Sequence, residues 1–249
     1  MFRFKTAARM RFVSRVGLGL SALAISVLLL FSYYGQRVGS FTVDLNQEMY
    51  INKSIELSET IDFTTGLARL NAESIKGVDP IGIRGDILRI PIEIESALAD
   101  LHPGNNNGDN FLMYSFYIRN SGNASLAYTY SIYLEEASNN VDSAIRVMVI
   151  KVNDVLGENP DERTIQTMYA RVQGENNINP GQPEPGTERF YGTKVITVND
   201  RYDFRVNQID HYVIAMWIHG EDIDCTDVGE NAITEGKIRL SMKFSILDF

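Results

Sequence analysis

Apolar residues alternate with polar ones along most of the chain after position 40, and this period of two constrains the fold more than any other feature. In Gly236–Phe244 every second residue from Ile238 is apolar, and Arg, Ser and Lys stand between them. Successive side chains of a β-strand point to opposite faces, so this alternation places one apolar face against a core. The pattern predicts a half-buried strand, and its recurrence predicts an all-β domain.

The strand pattern recurs between turn-forming residues. The predicted strands are Asp86–Ile94, Phe111–Ile118, Leu126–Leu134, Ile145–Ile150, Thr164–Val172, Lys194–Val198, Tyr212–Ile218 and Gly236–Phe244. Many short strands separated by turns are typical of two packed sheets. We therefore expect a two-sheet antiparallel β-sandwich with a jelly-roll or immunoglobulin-like topology.

Local signals refine this expectation. The turn formers between Asn120 and Asn123 predict that Phe111–Ile118 and Leu126–Leu134 pair as a hairpin. Pro91 cannot donate to a strand ladder, so the strand around it is expected at an edge or a bulge.

Weaker patterns suggest one short helix and two loops. The helix is expected either at Glu135–Ser143 or at Thr65–Lys76, and the expected loops are Leu101–Asn110 and the Pro-rich Asn176–Arg189.

The N-terminal segment has the composition of a membrane-inserted sequence. Its basic residues are Arg3, Lys5, Arg9, Arg11 and Arg15. They precede the uncharged apolar run Val16–Tyr34, close to the ~20 residues that a helix needs to cross a bilayer. The basic bias places the N-terminus in the cytoplasm. We expect residues 1–15 inside, 16–34 as a transmembrane anchor or a cleaved signal, and 35–249 outside the membrane.

The charge after this segment is strongly negative. All 32 acidic residues follow it, against 17 basic residues after position 39, which gives about −15. Such a field opposes binding to nucleic acid.

The single cysteine, Cys225, excludes an intramolecular disulfide. Two interpretations of Cys225 are open. It is either a reactive nucleophile or, as favoured here, a small buried or partly buried side chain.

Residues suited to catalysis are sparse. The chain has three histidines, His102, His211 and His219, and none lies in a His-Glu-x-x-His motif. We interpret His211 and His219 as the ends of one strand rather than as metal ligands. A serine triad assembled in space would need one of the three. No catalytic residue and no bound cofactor are predicted, with calcium as the exception considered next.

Acidic residues are concentrated just after the Tyr212–Ile218 strand. Asp222, Asp224 and Asp227 offer the carboxylate oxygens that calcium prefers, and we take them as candidate ligands. A solvated acidic loop is the alternative.

Aromatic residues are concentrated in the Phe111–Ile118 and Leu126–Leu134 strands, where they suggest either a surface that stacks on sugars or, favoured here, cross-strand packing.

Several segments together resemble the TasA/camelysin group of exported bacterial surface proteins. They are Phe41–Leu45, Tyr117–Leu126, Ala215–Glu221 and Lys237–Phe244. The resemblance implies a jelly-roll domain at the cell surface or in a biofilm matrix, with fibres formed by donated strands. Phe41, Val43 and Leu45 would be the donated side chains, and the strand around Pro91 an acceptor edge. The group's metallopeptidase label finds no matching motif in this chain.

Three functions follow in order of preference. The first is a non-enzymatic exported β-sandwich protein with a structural or adhesive role, membrane-anchored or secreted, that self-associates through edge strands. The second is a surface module that binds calcium or a glycan. The third is a hydrolase that uses one of the three histidines.

Overall fold

Two β-sheets packed face to face form the domain in the computed structural model, which describes residues 39–82, 90–175, 177–225 and 236–247. The strands in these ranges are β1 (Ser40–Leu45), β2 (Ile55–Ser58), β3 (Arg69–Asn71), β4 (Gly104–Asn105), β5 (Phe111–Asn120), β6 (Leu126–Ala137), β7 (Ile145–Val152), β8 (Thr164–Ala170), β9 (Glu188–Arg189), β10 (Val195–Phe204), β11 (Ile209–Ile218) and β12 (Ile238–Ile246). The helical segments are a π-helical turn (Glu48–Asn52), α1 (Ile92–Ala99) and a 3-10 turn (Pro160–Arg163).

The five-stranded sheet has the order β10-β6-β12-β1-β3, and the seven-stranded sheet has the order β2-β5-β11-β7-β8-β9 with β4 also on β5. Most neighbours are antiparallel, as expected. β1 and β12 are parallel, however, and so are β8 and β9, so both sheets are mixed rather than purely antiparallel. The first and last described strands are therefore direct neighbours, with Ser40 opposite Arg239 and Leu45 opposite Phe244.

The main core lies between the sheets. Phe41 and Phe244 contribute from the five-stranded sheet, and Phe116 and Tyr212 from the seven-stranded sheet; all are at most 1% exposed. Their rings form edge-to-face and stacked pairs, such as Phe116 on Tyr212 with 5.4 Å between centroids. Such pairs stabilise a core beyond the area that they bury. The core strands predicted by alternation, β5, β6, β7, β8, β10, β11 and β12, are confirmed.

A second apolar cluster covers the outer face of the seven-stranded sheet. Ile94 of α1 packs there with Met113, Met148 and Trp217. Because the sheet has a core on each face, β5, β7 and β11 are apolar on both sides, which explains why their sequences are nearly continuous hydrophobic runs.

The hairpin prediction for β5 and β6 is wrong. The two strands lie in different sheets, and the turn at Asn120 crosses between them. The Asn120 side chain stabilises this crossing, since its Nδ2 donates to Phe204 O (2.9 Å) and to Ala124 O (3.0 Å). Alternation tells which face of a strand is buried but not which sheet it joins.

The strand predicted at Asp86–Ile94 is also wrong over its described part, and with it the proposed acceptor edge. Pro91 is the N-cap residue of α1, where its carbonyl accepts from Ile94 N and Glu95 N (3.0 Å each). Proline suits a helix start because the N–H it lacks has no intrahelical partner there. The Ile92–Ile94 alternation misled because Ile92 is exposed and only Ile94 is buried.

The predicted short helix is absent from both of its candidate segments. β6 runs on to Ala137 and is followed by Asn139 and Asn140 with φ values of 53° and 54°. The left-handed backbone at two successive residues makes a tight turn and prevents a helix. Over Thr65–Lys76 the chain instead forms β3 against β1.

The predicted loops are largely confirmed. The first contains the two-residue β4, and the described part of the second contains β9. The expected membrane segment, 16–34, lies outside the described residues. Within the described ranges, every helix is too short or too polar to cross a bilayer.

Candidate metal centre

Three carboxylates from two distant segments converge beside the C-terminal end of β11. Asp222 and Asp224 follow that strand, and Glu184 comes from the Pro-rich loop. Each offers an oxygen, and these oxygens all lie within 4.8 Å of one another. Two of the three residues predicted as calcium ligands are thus brought together, whereas Asp227 lies outside the described residues. Glu184 was not predicted.

A tight turn after β11 presents the two aspartates. His219 N donates to Ala144 O (2.8 Å), and Gly220 N donates to Ile81 O (2.9 Å), so the chain is held to two neighbouring segments as the strand ends. Asp222 Oδ1 then accepts from Asp224 N (2.9 Å). This side-chain-to-backbone bond is the usual way in which aspartate closes a turn.

The Pro-rich loop is held against this turn by Asp224. Its Oδ2 accepts from Gly174 N and from Asn177 Nδ2, at 3.1 Å each. The loop is also closed on itself, since Gln173 N donates to Gln182 O and Gly181 N donates to Gln173 O (2.8 Å each). Glu184 therefore approaches the turn on a backbone with its own hydrogen bonds.

Arg146 of β7 is the cation of the cluster. It is 4% exposed. Its Nη1 lies 2.8 Å from Asp222 Oδ2 and its Nη2 lies 3.6 Å from Glu184 Oε2. A buried guanidinium needs such partners, because an unpaired charge in the interior costs several kcal/mol, on the order of 3–5. Burial raises the pKa of Glu184 and nearby Asp222 raises it further, against the effect of Arg146.

His219 lies at the edge of the same cluster. It is 4% exposed, and within the described part of the chain its Nδ1 has no hydrogen-bond partner. Burial, together with the charge of Arg146, lowers the pKa of His219 to about 4. The imidazole is therefore neutral at neutral pH. A cavity of about 250 Å³ opens here, lined by Arg146, Glu184, His219 and Asp222 among others.

The remaining histidines are not gathered at this site. His211 Nε2 lies 2.8 Å from Ser115 Oγ, and its ring stacks on Tyr117 with 4.4 Å between centroids. The Ser115 hydroxyl belongs to a residue that is 1% exposed, so a substrate has no access to it. His102 is exposed beside Asp100, 3.7 Å from its carboxylate.

A second polar network lies inside the sandwich and was not predicted. Asp210 is fully buried and its Oδ2 accepts from Tyr128 Oη (2.7 Å) and Arg201 Nε (3.0 Å). Lys151 lies beside it, with its Nζ 5.4–5.6 Å from the ring centres of Tyr128, Tyr130 and Tyr212. The sequence signal was available, because Arg146 and Lys151 are the two charges of the apolar strand IRVMVIKV.

The other predicted residues have packing roles. Tyr114, Phe116, Tyr128 and Tyr130 are at most 5% exposed, which confirms the cross-strand packing interpretation for them.

The candidate donor residues Phe41, Val43 and Leu45 are buried in the core of their own domain. Cys225 is partly buried against the same core, in agreement with the favoured interpretation.

Comparisons of the chain with protein-family models, with curated proteins and with solved structures found no match.

Proposed function

We propose that this chain is a non-enzymatic, exported β-sandwich protein with a structural or adhesive role at the cell surface. The basic N-terminus and the apolar run 16–34 support export, with the domain outside the membrane. In the anchored form the protein spans the membrane once, and in the secreted form a peptidase removes the segment.

The observation that carries the structural role is the parallel pairing of β1 with β12. The N-terminal side of the domain enters at Ser40, at one end of this pair, and the chain leaves β12 at the opposite end. Tension between the two termini therefore pulls the two strands in opposite directions along their length. In that geometry all the ladder hydrogen bonds are strained together, whereas a hairpin pulled from one end opens one bond at a time.

The packing of β1 reinforces this arrangement. Phe41, Val43 and Leu45 point into the core and are at most 8% exposed. On the other face Arg69 Nε of β3 lies 3.3 Å from Asp44 Oδ1. Sliding β1 along β12 would expose three apolar side chains and break the ladder at the same step, so a tethered domain of this kind is suited to bearing force.

Fibre formation by strand donation is the finer form of the proposal, together with a jelly-roll topology. The position of β1 between β12 and β3 is the position that the same segment of a second copy would occupy. Main-chain hydrogen bonds would then supply affinity, and Phe41, Val43 and Leu45 would supply specificity. Deletion of residues 36–45 is expected to abolish such assembly, and unchanged assembly would contradict it.

The test of the general proposal is the intact mass of the protein from its native host, measured with its distribution between membrane and medium. A mass near 28.0 kDa in the membrane fraction supports the anchored form. A mass that lacks about residues 1–39, found outside the cell, supports the secreted form. A full-length chain in the cytosol would contradict export altogether.

A surface module that binds a cation is the second candidate, and the convergence of Glu184, Asp222 and Asp224 favours it. The glycan form of this candidate is weaker, because the tyrosines that suggested stacking are inside the core.

A further inference from the structure

We propose that Glu184, Asp222 and Asp224 form a binding site for a divalent cation, with calcium as the preferred ion. This inference deepens the second candidate function and rests on it, but it does not depend on the structural role proposed first. It starts from the convergence of the three carboxylates, whose nearest oxygens lie within 4.8 Å of one another. An ion placed among oxygens with this spacing is within reach of all of them, because calcium–oxygen distances are about 2.3–2.6 Å.

The charge balance of the cluster favours a doubly charged ligand. Three carboxylates face one guanidinium, that of Arg146. The fully ionised cluster thus carries two negative charges, in a place where Glu184 and Asp222 are at most 8% exposed. Burying uncompensated charge is costly. A divalent cation brings the sum to zero.

Unpartnered buried atoms give independent support. Within the described ranges, Nδ1 of His219 has no hydrogen-bond partner, and neither has Oδ2 of Asp222, although the latter forms an ion pair with Arg146. Both residues line the cavity of about 250 Å³ that also contains Glu184. Buried polar side-chain atoms are mostly hydrogen-bonded in proteins. A hydrated cation in this cavity would supply a second cationic partner to Asp222 and, through a bound water, a hydrogen-bond partner to His219.

The chemistry of the surroundings selects calcium among divalent ions. The converging ligands are carboxylate oxygens, and the amide side chains of Gln173, Asn177 and Asn179 line the same cavity. Calcium takes six to eight oxygens in a flexible geometry, whereas magnesium requires a near-ideal octahedron. Zinc prefers nitrogen and sulfur ligands, and of these types only His219 lines the described part of the cavity.

A bound ion would join two parts of the fold. Glu184 lies in the Pro-rich loop and the aspartates lie in the turn after β11. Arg146 pairs with Glu184 and with Asp222, and Gly174 and Asn177 donate to Asp224. An ion shared by both segments adds a cross-link, so calcium should stabilise the folded domain.

The experiment is calcium titration of the full-length chain in detergent, followed by calorimetry and by thermal unfolding. At free calcium one hundred times Kd, the melting temperature is expected to rise by about 5 °C or more. Terbium emission, excited through the only tryptophan, Trp217, which pairs with Arg146 across the strands, gives a second readout.

Glu184→Gln and Asp224→Asn each preserve side-chain volume and remove one charge, and each is expected to weaken calcium binding at least about 10-fold. Glu175→Gln is the matched control, because it removes the same charge from an exposed position just before that loop. Circular dichroism without calcium shows whether each variant is folded. The proposal is overturned if the wild type shows neither heat nor a shift, if Glu175→Gln weakens binding as much, or if zinc or manganese binds and calcium does not.

Discussion

Lys151 Nζ lies 5.4 Å from the centre of the Tyr130 ring, inside the sandwich. Cation–π contacts with Tyr130 and two further tyrosines surround an ammonium on a residue that is only 5% exposed. The pKa of Lys151 is lowered to about 8, chiefly by burial; the Asp210 carboxylate opposes this shift and the Arg201 guanidinium adds to it. The rings attract the cation but do not replace its hydration fully. We therefore expect this lysine to cost stability at neutral pH.

Lys151→Met should raise the free energy of unfolding at pH 7 by about 1–3 kcal/mol. The unfolded chain keeps its proton up to a pKa of about 10.5 and the folded chain releases it above about 8. The folded state thus binds fewer protons between these values, and wild-type stability should rise with pH across that window. Urea unfolding at pH 7 and pH 10 tests this: the advantage of the variant should shrink at pH 10. Lys53→Met, at an exposed position, should show neither effect.

His211 should make the domain sensitive to acid. Burial lowers its pKa to about 4, so the folded state binds fewer protons than the unfolded state between about pH 6.5 and pH 4. Stability should therefore fall as the pH decreases through that window.

His211→Phe combined with Ser115→Ala removes both members of their hydrogen bond and keeps an aromatic ring for Tyr117. When the pH falls from 6.5 to 4.5, the free energy of unfolding of this double variant should decrease by about 1–3 kcal/mol less than that of the wild type. Melting temperatures measured over this range test it. His102→Gln, at an exposed histidine, is the control and should leave the slope unchanged.

Arg146→Met should destabilise the domain by about 3–5 kcal/mol, because it leaves two buried carboxylates without their guanidinium. The triple variant with Glu184→Gln and Asp222→Asn should recover most of this loss. If the cation site exists, calcium should stabilise the single variant more than the wild type, since the ion takes over the missing charge. Denaturant unfolding with calcium and with chelator distinguishes these outcomes, and equal calcium effects in both proteins would argue against the site.

Ile94→Ala should cost about 2–4 kcal/mol, since Ile94 is fully buried between α1 and the seven-stranded sheet. Ile92→Ala changes the same side chain two residues earlier, where it is 71% exposed, and should change stability by less than about 0.5 kcal/mol. Chemical denaturation of the two variants tests the helix. If this segment were a strand, Ile92 and Ile94 would lie on one face, and the two variants would lose similar amounts of stability.

Thr42→Pro should lower the force at which the domain unfolds when it is pulled by its termini. Leu45 N and Phe41 O bond toward β3, so by alternation the N–H of Thr42 faces β12, and proline removes it. Single-molecule force spectroscopy measures the effect. Met148→Ala, in the other sheet, serves as the control at comparable chemical stability. Equal forces for the two variants would contradict the mechanical role of the β1–β12 pair.

Strand positions were predictable from the sequence because burial of one face imposes a period of two on the residues of each strand. The pairing of strands was not, since the strands of Ile118 and Tyr128 show the same alternation although they contribute to the core from different sheets. Two of the three carboxylates of the site could be predicted from the sequence. Asp222 and Asp224 stand close together in the chain, but Glu184 reaches them only through the path of the Pro-rich loop.

The adjacency of β1 and β12 also bears on how the domain is made. β1 is the first described strand to be synthesised, and β12, which pairs with it over six residues, is the last. Until β12 has been synthesised, β1 has only the three residues of β3 beside it in the sheet. Contacts between distant parts of a chain form slowly, because a long loop must close first. The polypeptide thus completes its five-stranded sheet only after its last described strand has been made, and such a delay would suit the export that we propose.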